Sequence, residues 1–401
     1  MRVRSTSKRA LTSSRPPSTK PDWPRFRRSS TGRPTPISPR SSPCICRCRS
    51  RATPTSSPGS RARRPRDVLS VIRISVIEYA VAVGSPRLAE RLFGPSCEAL
   101  AGVSARRLGG VLTEFDSELA RRVLSRAEVL LTGWDTPPLR RSVLRHAPRL
   151  RRVIHAGSAF GWLLPDGASG VHVSDMGHVN AVPVAEYTLA MIILANKDAV
   201  RARDLYRTRR TYIDREEEFA DAGNHARTVG VVSASRTGRV LLELLRAFPT
   251  LDALVYDPYL PPHEARGLGA EPVSLPELVR RSDVVTVHAP VRPDTVGLID
   301  RELLALMRDG TTIINTARGV IVEPAALERE LIGGRINAVL DVTDPEPLPA
   351  ESALYDLPNV FLTPHISGSM GTELRRMGDE VASELARYAD LAVAAESVAD
   401  S

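Results

Sequence analysis

The stretch GVVSASRTGR, residues 230–239, joins a short apolar run to a helical pattern, VLLELLRAF. A buried strand, a glycine-rich turn and a helix in this order are typical of a dinucleotide-binding loop, which is usually written G-x-G-x-x-G. Here the three glycine positions hold Ser233, Ser235 and Gly238. The stretch alone leaves three possibilities open: a working cofactor loop with two substitutions, a loop that has lost its cofactor, or an ordinary strand-to-helix turn.

Each glycine of such a loop has its own task. The first allows the tight turn, the second lets the backbone approach the pyrophosphate, and the third lets the helix pack on the strand. Gly238 keeps the third glycine, whereas Ser233 would be strained if its φ were positive. Ser235 brings a hydroxyl to the point of closest approach, where it would shift the phosphate or donate a hydrogen bond to it. Arg236, Thr237 and the helix N-terminus offer positive charge and donors to the pyrophosphate.

A carboxylate follows the loop at the distance that a dinucleotide site requires. Asp257 lies nineteen residues after Gly238, at the end of the strand pattern LDALVYD. An acidic residue there binds the ribose hydroxyls of the adenosine. Because its charge would also repel a 2′-phosphate, the pattern favours NAD over NADP.

Around this stretch the sequence alternates regularly between strand and helix patterns. The strand patterns are TVGVVS, LDALVYD, DVVTVHA, TTIINTA, INAVLDV and NVFLTPH. The helix patterns between them are RVLLELLRAF, SLPELVRR, RELLALMRDG and EPAALERELIGG, and Ser274 is a plausible N-cap of the second. Continuous apolar strands that alternate with helices predict a parallel sheet covered on both faces.

We therefore predict an α/β protein of two Rossmann-like lobes with doubly wound parallel sheets. In this prediction an NAD-binding domain, residues 179–368, is inserted into a discontinuous substrate domain formed by residues 71–178 and 369–395. One long helix over residues 180–207, interrupted only near its start by Pro183, begins the inserted domain. The last helical pattern is expected to return to the first lobe.

The first 70 residues have a different composition from the rest. They hold 18 basic and 2 acidic residues, a net charge of +16, whereas residues 71–401 hold 37 basic and 44 acidic residues, a net charge of −7. This Arg-, Ser- and Pro-rich head lacks helix or strand periodicity and is predicted to be disordered. It could be a transit peptide, a nucleic-acid-binding arm, or a segment that is not translated because the true start codon lies downstream. Only three of the 55 basic residues are lysines, which indicates a GC-rich coding sequence and favours the last possibility.

Metal, disulfide and membrane features are not predicted. Cys44, Cys46 and Cys48 form C-x-C-x-C in the head, but this spacing without histidines matches no zinc pattern. Cys97 is the only cysteine in the rest of the chain, so no disulfide framework is expected. No apolar run approaches the ~20 residues that a membrane span needs. We expect a cytoplasmic protein that binds neither nucleic acid nor membranes.

Polar residues follow three separate strands of the predicted sheet. NTARG places Arg318 just beyond one strand, LDVTDPEPLP places Asp341 and Glu346 at the end of the next, and LTPHISG places His365 after a third. Each residue alone has an ordinary explanation, since a loop Arg or Glu is usually solvated and a lone His is usually structural. Because the carboxyl ends of parallel strands meet at one edge, these side chains are expected to share a ligand crevice.

These motifs, in this order, resemble the signature of the D-isomer-specific 2-hydroxyacid dehydrogenases, in particular of phosphoglycerate dehydrogenase-like members. The resemblance rests on GVVSASRTGR, VYDPY, VHAPVRPDTVGLI, INTARGVIVEPAAL, LDVTDPEPLP and LTPHISG, and covers roughly residues 72–395. HVNAVPVAEYTLAMIILANK resembles the interdomain helix of the family. HAGSAFGW lies where the family has a glycine-rich substrate loop, whose usual G-x-G-x-D is not kept.

The resemblance implies an oxidoreductase that transfers a hydride between NAD(H) and a small 2-hydroxy or 2-oxo acid. Arg318 would bind the substrate carboxylate bidentately and polarise its carbonyl. His365 would donate a proton to the carbonyl oxygen and act as the base in the reverse direction, while Glu346 would favour its charged form. Asp341 would accept a hydrogen bond from the carboxamide of the nicotinamide.

The resemblance also assigns binding residues, a partner and an alternative. The cofactor-binding residues would be Ser235, Arg236, Thr237, Gly238, Asp257, Ala289, Thr316, Ala317, Asp341 and Gly368. Backbone amides near Gly157 and Ser158 would help to hold the carboxylate from the first lobe. The family is commonly dimeric, so a homodimer is expected. The alternative is a catalytically weak, NAD-binding regulatory or corepressor-like protein, which the two serines and the altered substrate loop favour. No motif decides which 2-hydroxy acid is the substrate.

Overall fold

The structure, a computed structural model, describes residues 76–94, 105–158, 161, 163–165 and 170–399, with side chains to residue 392. The predictions for the head, including its three cysteines, lie outside these residues, as does Cys97. All described residues belong to one compact unit, Ser70–Ser401.

The first lobe is built on a five-stranded parallel sheet in the order β2-β1-β3-β4-β5. Its strands are β1 (Ile77–Ala82), β2 (Ala105–Leu112), β3 (Val129–Thr132), β4 (Arg152–His155) and β5 (His172–Asp175). Its helices are α1 (residues 86–94), α2 (Glu118–Leu124) and α3 (Arg141–Leu144). Every residue of β1 and β3 is buried, as expected for strands covered on both faces.

The second lobe is built on a seven-stranded parallel sheet in the order β12-β11-β10-β9-β6-β7-β8. The strands are β6 (Arg227–Val232), β7 (Leu251–Tyr256), β8 (Glu271–Pro272), β9 (Val284–Val287), β10 (Thr312–Asn315), β11 (Asn337–Leu340) and β12 (Val360–Leu362). This is the order of dinucleotide-binding folds. Successive strands are added on one side of β6 as far as β8, and from β9 onward on its other side. The prediction of two doubly wound parallel sheets is confirmed.

Nine further α-helices lie within the described residues. They are α4 (Gly177–Asn196), α5 (Ala199–Arg209), α6 (Arg215–Glu218), α7 (Arg236–Leu245), α8 (Pro262–Gly267), α9 (Leu275–Arg281), α10 (Arg301–Leu306), α11 (Pro324–Ile332) and α12 (Glu373–Ala399). The predicted N-cap of α9 is present, because Ser274 Oγ accepts a hydrogen bond of 3.4 Å from the amide of Glu277. That bond satisfies one of the amides that a helix start leaves without a partner.

The predicted single helix over residues 180–207 is wrong, because the structure has two helices there. α4 ends at Asn196 and α5 starts at Ala199, and between them Asp198 takes a left-handed conformation with φ 52°. Pro183 lies inside α4 and costs a backbone donor without ending the helix.

The expectation that no apolar run approaches the length of a membrane span is also wrong. By length and composition α4, at 20 residues, could cross a membrane. In the fold, however, α4 packs against α7, β9 and β10, and it buries Ile192 together with the polar Thr188 and Asn196. These contacts join α4 to the sheet and to α7 of the second lobe.

α12 returns the chain to the first lobe. Its residues Met377, Val381 and Leu385 belong to the same apolar cluster as Ile77 and Val81 of β1. The domain bounds 71–178, 369–395 and 179–368 remain a prediction, and this packing is consistent with them.

Candidate active site

A cavity of about 800 Å³, here called the inner cavity, lies between the two lobes and is lined by both. The second lobe contributes Arg318 and His365, from the loops after β10 and β12. The first lobe contributes Gly157 and Ser158, from the loop after β4. The cavity thus brings together residues that are more than 200 positions apart in the sequence.

Arg318 is held at the mouth of β10 by the side chain of Asn315. Asn315 Nδ2 donates to the carbonyl of Arg318 at 2.8 Å, and its Oδ1 accepts from the amide of Ala317 at 3.0 Å. The guanidinium donates to the Ala317 carbonyl at 2.6 Å and forms no ion pair with any described residue. The remaining guanidinium N–H groups are therefore available to an anion such as a carboxylate.

His365 and Glu346 form a pair at the same edge of the sheet. His365 Nδ1 and Glu346 Oε1 are 2.6 Å apart, a distance typical of a charge-assisted hydrogen bond. His365 has a left-handed backbone with φ 54°. Because Nδ1 is occupied by the carboxylate, Nε2 is the ring nitrogen left for a substrate.

Asp341 shapes the loop that carries His365. Its carboxylate is buried and accepts hydrogen bonds from Thr363 Oγ1 at 2.6 Å, the Ile366 amide at 2.8 Å and the Ser367 amide at 2.9 Å. Its backbone carbonyl also accepts from the amide of His365 at 2.9 Å. The predicted contact of Asp341 with the nicotinamide carboxamide stays a prediction. In the structure, Asp341 positions the loop that carries His365.

A second cavity, of about 300 Å³, lies against the loop after β6. Three predicted cofactor residues line it, namely Ser235, Asp257 and Ala289. Ser233, the first serine of the loop, lines it as well. Asp257 Oδ2 accepts from Ser233 Oγ at 3.1 Å and from the Ala234 amide at 2.9 Å. Its Oδ1 accepts from the Tyr259 amide at 2.9 Å. The carboxylate is thus fixed at the end of β7, where a ribose would bind.

The two serines of the loop have different roles. Ser233 has φ 77°, the left-handed conformation that would strain a residue with a β-carbon. Ser235 has an ordinary negative φ and is the N-cap of α7, since its Oγ accepts from the Gly238 amide at 3.3 Å. The Ser235 hydroxyl is therefore bonded within the helix.

The loop retains what a pyrophosphate requires. A Cβ at Gly238 would overlap the carbonyl oxygen of Ser233, so the helix packs on the turn only with glycine there. The first-turn amides of Arg236 and Thr237 have no intrahelical acceptor and can bind an anion. Together with Asp257, these groups fit a dinucleotide.

The predicted contact of Arg236 with the pyrophosphate stays a prediction, and the structure adds a contact of its guanidinium. It pairs with Asp175 of β5 in the first lobe. The other predicted residues lie around the inner cavity: Thr316 lines it and bonds to Thr188 through hydroxyl oxygens 3.0 Å apart, and Gly368 lines it as well. Ala317 packs against the apolar core of the second lobe.

Two residues that line the inner cavity, His155 and Asn180, were not predicted from the sequence. His155 is buried beside Thr132, with Nδ1 and Oγ1 3.0 Å apart, and burial lowers its pKa to about 4. Asn180 Oδ1 accepts from the Ser369 amide at 2.7 Å, which ties α4 to the loop after β12. The position of Asn180 in the interdomain helix motif was the available signal for the second. Among the described residues no cluster of His, Cys, Asp and Glu could hold a metal ion.

Residues 189–367 match the family model described as D-isomer specific 2-hydroxyacid dehydrogenase, NAD binding domain. The chain is 36% identical over 261 residues to D-3-phosphoglycerate dehydrogenase of Mycobacterium tuberculosis, covering 64% of this chain and 48% of that protein. It is 30% identical over 279 residues to D-3-phosphoglycerate dehydrogenase of Methanocaldococcus jannaschii, covering 69% of this chain and 52% of that protein. The chain thus spans about half the length of the curated relatives that it matches.

Solved structures with the same fold include a D-lactate dehydrogenase and a phosphoglycerate oxidoreductase. D-lactate dehydrogenase of Aquifex aeolicus, complexed with NAD and lactic acid, matches with a TM-score of 0.62 and 25% identity, covering 78% of this chain and 95% of that chain. A phosphoglycerate oxidoreductase of Rhizobium etli matches with a TM-score of 0.61 and 27% identity, covering 76% and 92%.

Proposed function

The chain belongs to the D-isomer-specific 2-hydroxyacid dehydrogenase family, and from that premise we propose that it is an NAD-dependent oxidoreductase of small 2-hydroxy or 2-oxo acids. The observation that supports the proposal is that Arg318 and His365 line the same inner cavity, and that His365 forms a 2.6 Å hydrogen bond with Glu346. An anion-binding fork and a proton donor in one cleft are what reduction of a 2-oxo acid requires.

The side chains divide the work as follows. Arg318 binds the substrate carboxylate with the N–H groups that its contact with Ala317 leaves unused. His365 holds a proton at Nε2 for the carbonyl oxygen and takes it back in the oxidation direction. Glu346, bonded to Nδ1, fixes the orientation of the ring and so which nitrogen faces the substrate. Bound NADH supplies the hydride.

The cofactor domain binds NAD, and we propose the residues that hold it. Asp257 accepts from a ribose hydroxyl, and the amides of Arg236 and Thr237 at the start of α7 bind the pyrophosphate. Ser235, Gly238, Ala289, Thr316, Ala317, Asp341 and Gly368 complete the proposed cofactor site, and the amides near Gly157 and Ser158 the proposed substrate site.

A homodimer in the cytoplasm, without nucleic-acid or membrane partners, is part of the proposal. An exposed helix supports the dimer: α5 buries none of its residues, and Tyr206 on it is 65% exposed. Nearby Tyr212 is 83% exposed. Aromatic side chains of this kind are enriched at protein interfaces, so we propose that a second copy of the chain packs against this surface.

The test is NADH oxidation by the purified protein with a panel of 2-oxo acids of different size. We expect turnover with at least one acid and a product of D configuration on a chiral column. Arg318→Lys should lower kcat/KM about 10- to 100-fold, because a point charge replaces the fork, while the NADH dissociation constant stays within about twofold. NADH binding without turnover on any acid would instead favour the regulatory, corepressor-like alternative, which the strained Ser233 supports.

A further inference from the structure

Arg236 begins α7, and its guanidinium is already bonded to a carboxylate of the other lobe. Nη1 donates to Asp175 Oδ1, and Nη2 donates to Asp175 Oδ2 at 3.4 Å. Asp175 is the last residue of β5 and is largely buried, with 13% of its side chain exposed, whereas the Arg236 side chain is 57% exposed. The ion pair thus connects the coenzyme loop to the substrate lobe.

The surroundings of Asp175 are shaped to allow this contact. Its Oδ1 also accepts from the amide of Gly177 at 2.8 Å, which fixes the carboxylate at the start of α4. A Cβ at Gly177 would overlap Arg236 Nη1 and Asp175 Oδ1, so a side chain there would force the guanidinium or the carboxylate to shift. On its other side Asp175 is paired in register with His155 of β4.

We propose that Asp175 is an internal competitor for the arginine of the phosphate loop, so that binding of the coenzyme pyrophosphate has to break the Asp175–Arg236 ion pair. The proposal rests on the binding of NAD by the second lobe. A pyrophosphate brings negative charge to the N-terminus of α7, where an arginine would stabilise it. While Asp175 neutralises Arg236, the positive charge of the guanidinium is not available to the phosphates.

The strength of the pair makes such an exchange feasible. Since most of the Arg236 side chain is exposed, solvent screens the pair and it is weak. A phosphate offers the same planar, bidentate recognition with more negative charge. Asp175 therefore sets coenzyme affinity, and it need not touch the reacting atoms.

The experiment measures dissociation constants of NADH and of ADP-ribose for wild type and Asp175→Asn by titration calorimetry. Asparagine keeps an acceptor for the Gly177 amide but removes the charge. We expect about threefold tighter binding of both ligands, which corresponds to ~0.7 kcal/mol. ADP-ribose lacks nicotinamide, so an equal effect on both ligands assigns the gain to the pyrophosphate half. Asp116→Asn removes an exposed charge of the same lobe outside the pair and should leave both constants unchanged.

A double-mutant cycle isolates the pair. Arg236→Gln should weaken NADH binding, and in that background Asp175→Asn should change the constant by less than about 1.5-fold, because the competition has been removed. If Asp175→Asn lowers the thermal unfolding midpoint strongly, Asp175→Ser, which also retains an acceptor, replaces it in the cycle.

Three results would overturn the proposal. Unchanged or weaker NADH binding by Asp175→Asn, with normal binding by wild type, would mean that Asp175 positions Arg236 for the phosphate. An equal gain in the Arg236→Gln background would mean that Asp175 acts without Arg236. Absence of NADH binding by both wild type and Asp175→Asn would refute the coenzyme site itself, and this proposal with it.

Discussion

At residue 233 the chain places a side chain in a backbone conformation that favours glycine. A β-carbon at φ 77° costs about 1–2 kcal/mol relative to glycine. The Ser233 hydroxyl offsets part of this cost through its 3.1 Å hydrogen bond to Asp257. Ser233, which departs from the family pattern, is therefore hydrogen-bonded to Asp257, the carboxylate that the pattern requires.

Substitution at Ser233 separates the strain from the hydrogen bond. Ser233→Ala loses the bond and keeps the strain, so its free energy of unfolding should fall by about 1 kcal/mol. Ser233→Gly loses the bond but relieves the strain and should remain within about 0.5 kcal/mol of wild type. Ala226, with φ 54°, is a matched control, and Ala226→Gly should gain about 1 kcal/mol because it has no hydroxyl to lose. Urea unfolding curves decide the order; a Ser233→Ala protein as stable as wild type would show that the Asp257 bond contributes nothing.

Residue types in motifs could be predicted from the sequence, but the direction of long side chains could not. Gly238 follows from spacing because a Cβ there would overlap the Ser233 carbonyl, and Asp257 because an acidic residue at the end of this strand is a fixed feature of the motif. Arg236 is predicted to bind the pyrophosphate, and spacing does not predict that its long side chain reaches Asp175, 61 positions away. Only the packing of the two lobes brings that carboxylate within reach.

At the scale of elements, the unit β6–turn–α7 depends on close contact between a turn and a helix. The third glycine of the motif lies under the Ser233 carbonyl, where no Cβ fits. Gly238→Ala should therefore push α7 away from β6 and lower the free energy of unfolding by about 1–3 kcal/mol. It should also weaken NADH binding, since the anion-binding amides move with the helix. Unfolding curves and NADH titration measure the two effects.

The control for this substitution is another helical glycine. A Cβ at Gly267 of α8 would meet nothing within 4 Å. Gly267→Ala should be neutral or stabilising by up to about 1 kcal/mol, with unchanged NADH affinity. If both variants lost the same stability, the close contact at Gly238 would not be the cause.

The strands and short helices of the second lobe could be predicted from the sequence because their apolar runs and caps are local signals. The boundary between α4 and α5 was not, because Lys197 and Asp198 carry no glycine or proline that would mark a stop. Asp198 enters the left-handed region there, and Arg201 pairs with both Asp198 and Glu218 on the far side of the break. The Arg201–Glu218 pair joins residues of two different helices and so is not visible in the helical pattern.

At the scale of the whole molecule, each lobe buries one histidine in its sheet. His155 ends β4 beside the inner cavity, and His288 follows β9 with Nε2 2.9 Å from Thr286 Oγ1. Burial lowers the pKa of His155 to about 4 and that of His288 to about 3. Both imidazoles are therefore neutral in the folded protein at pH 7.

These two pKa values make the fold sensitive to mild acid. In the unfolded chain a histidine has a pKa near 6.5, so between pH 7 and pH 4 the unfolded state binds more protons than the folded state. Stability is thus fully present above about pH 7 and is lost as the pH falls. At pH 5 each histidine should cost about 2 kcal/mol relative to pH 8. His288→Gln, which retains a group that can bond to Thr286, should remove about half of the histidine-dependent loss, whereas His263→Gln on the surface should remove none. Urea unfolding at pH 8 and pH 5 measures the difference, and an undiminished loss in His288→Gln would mean that protonation of this buried histidine does not control acid stability.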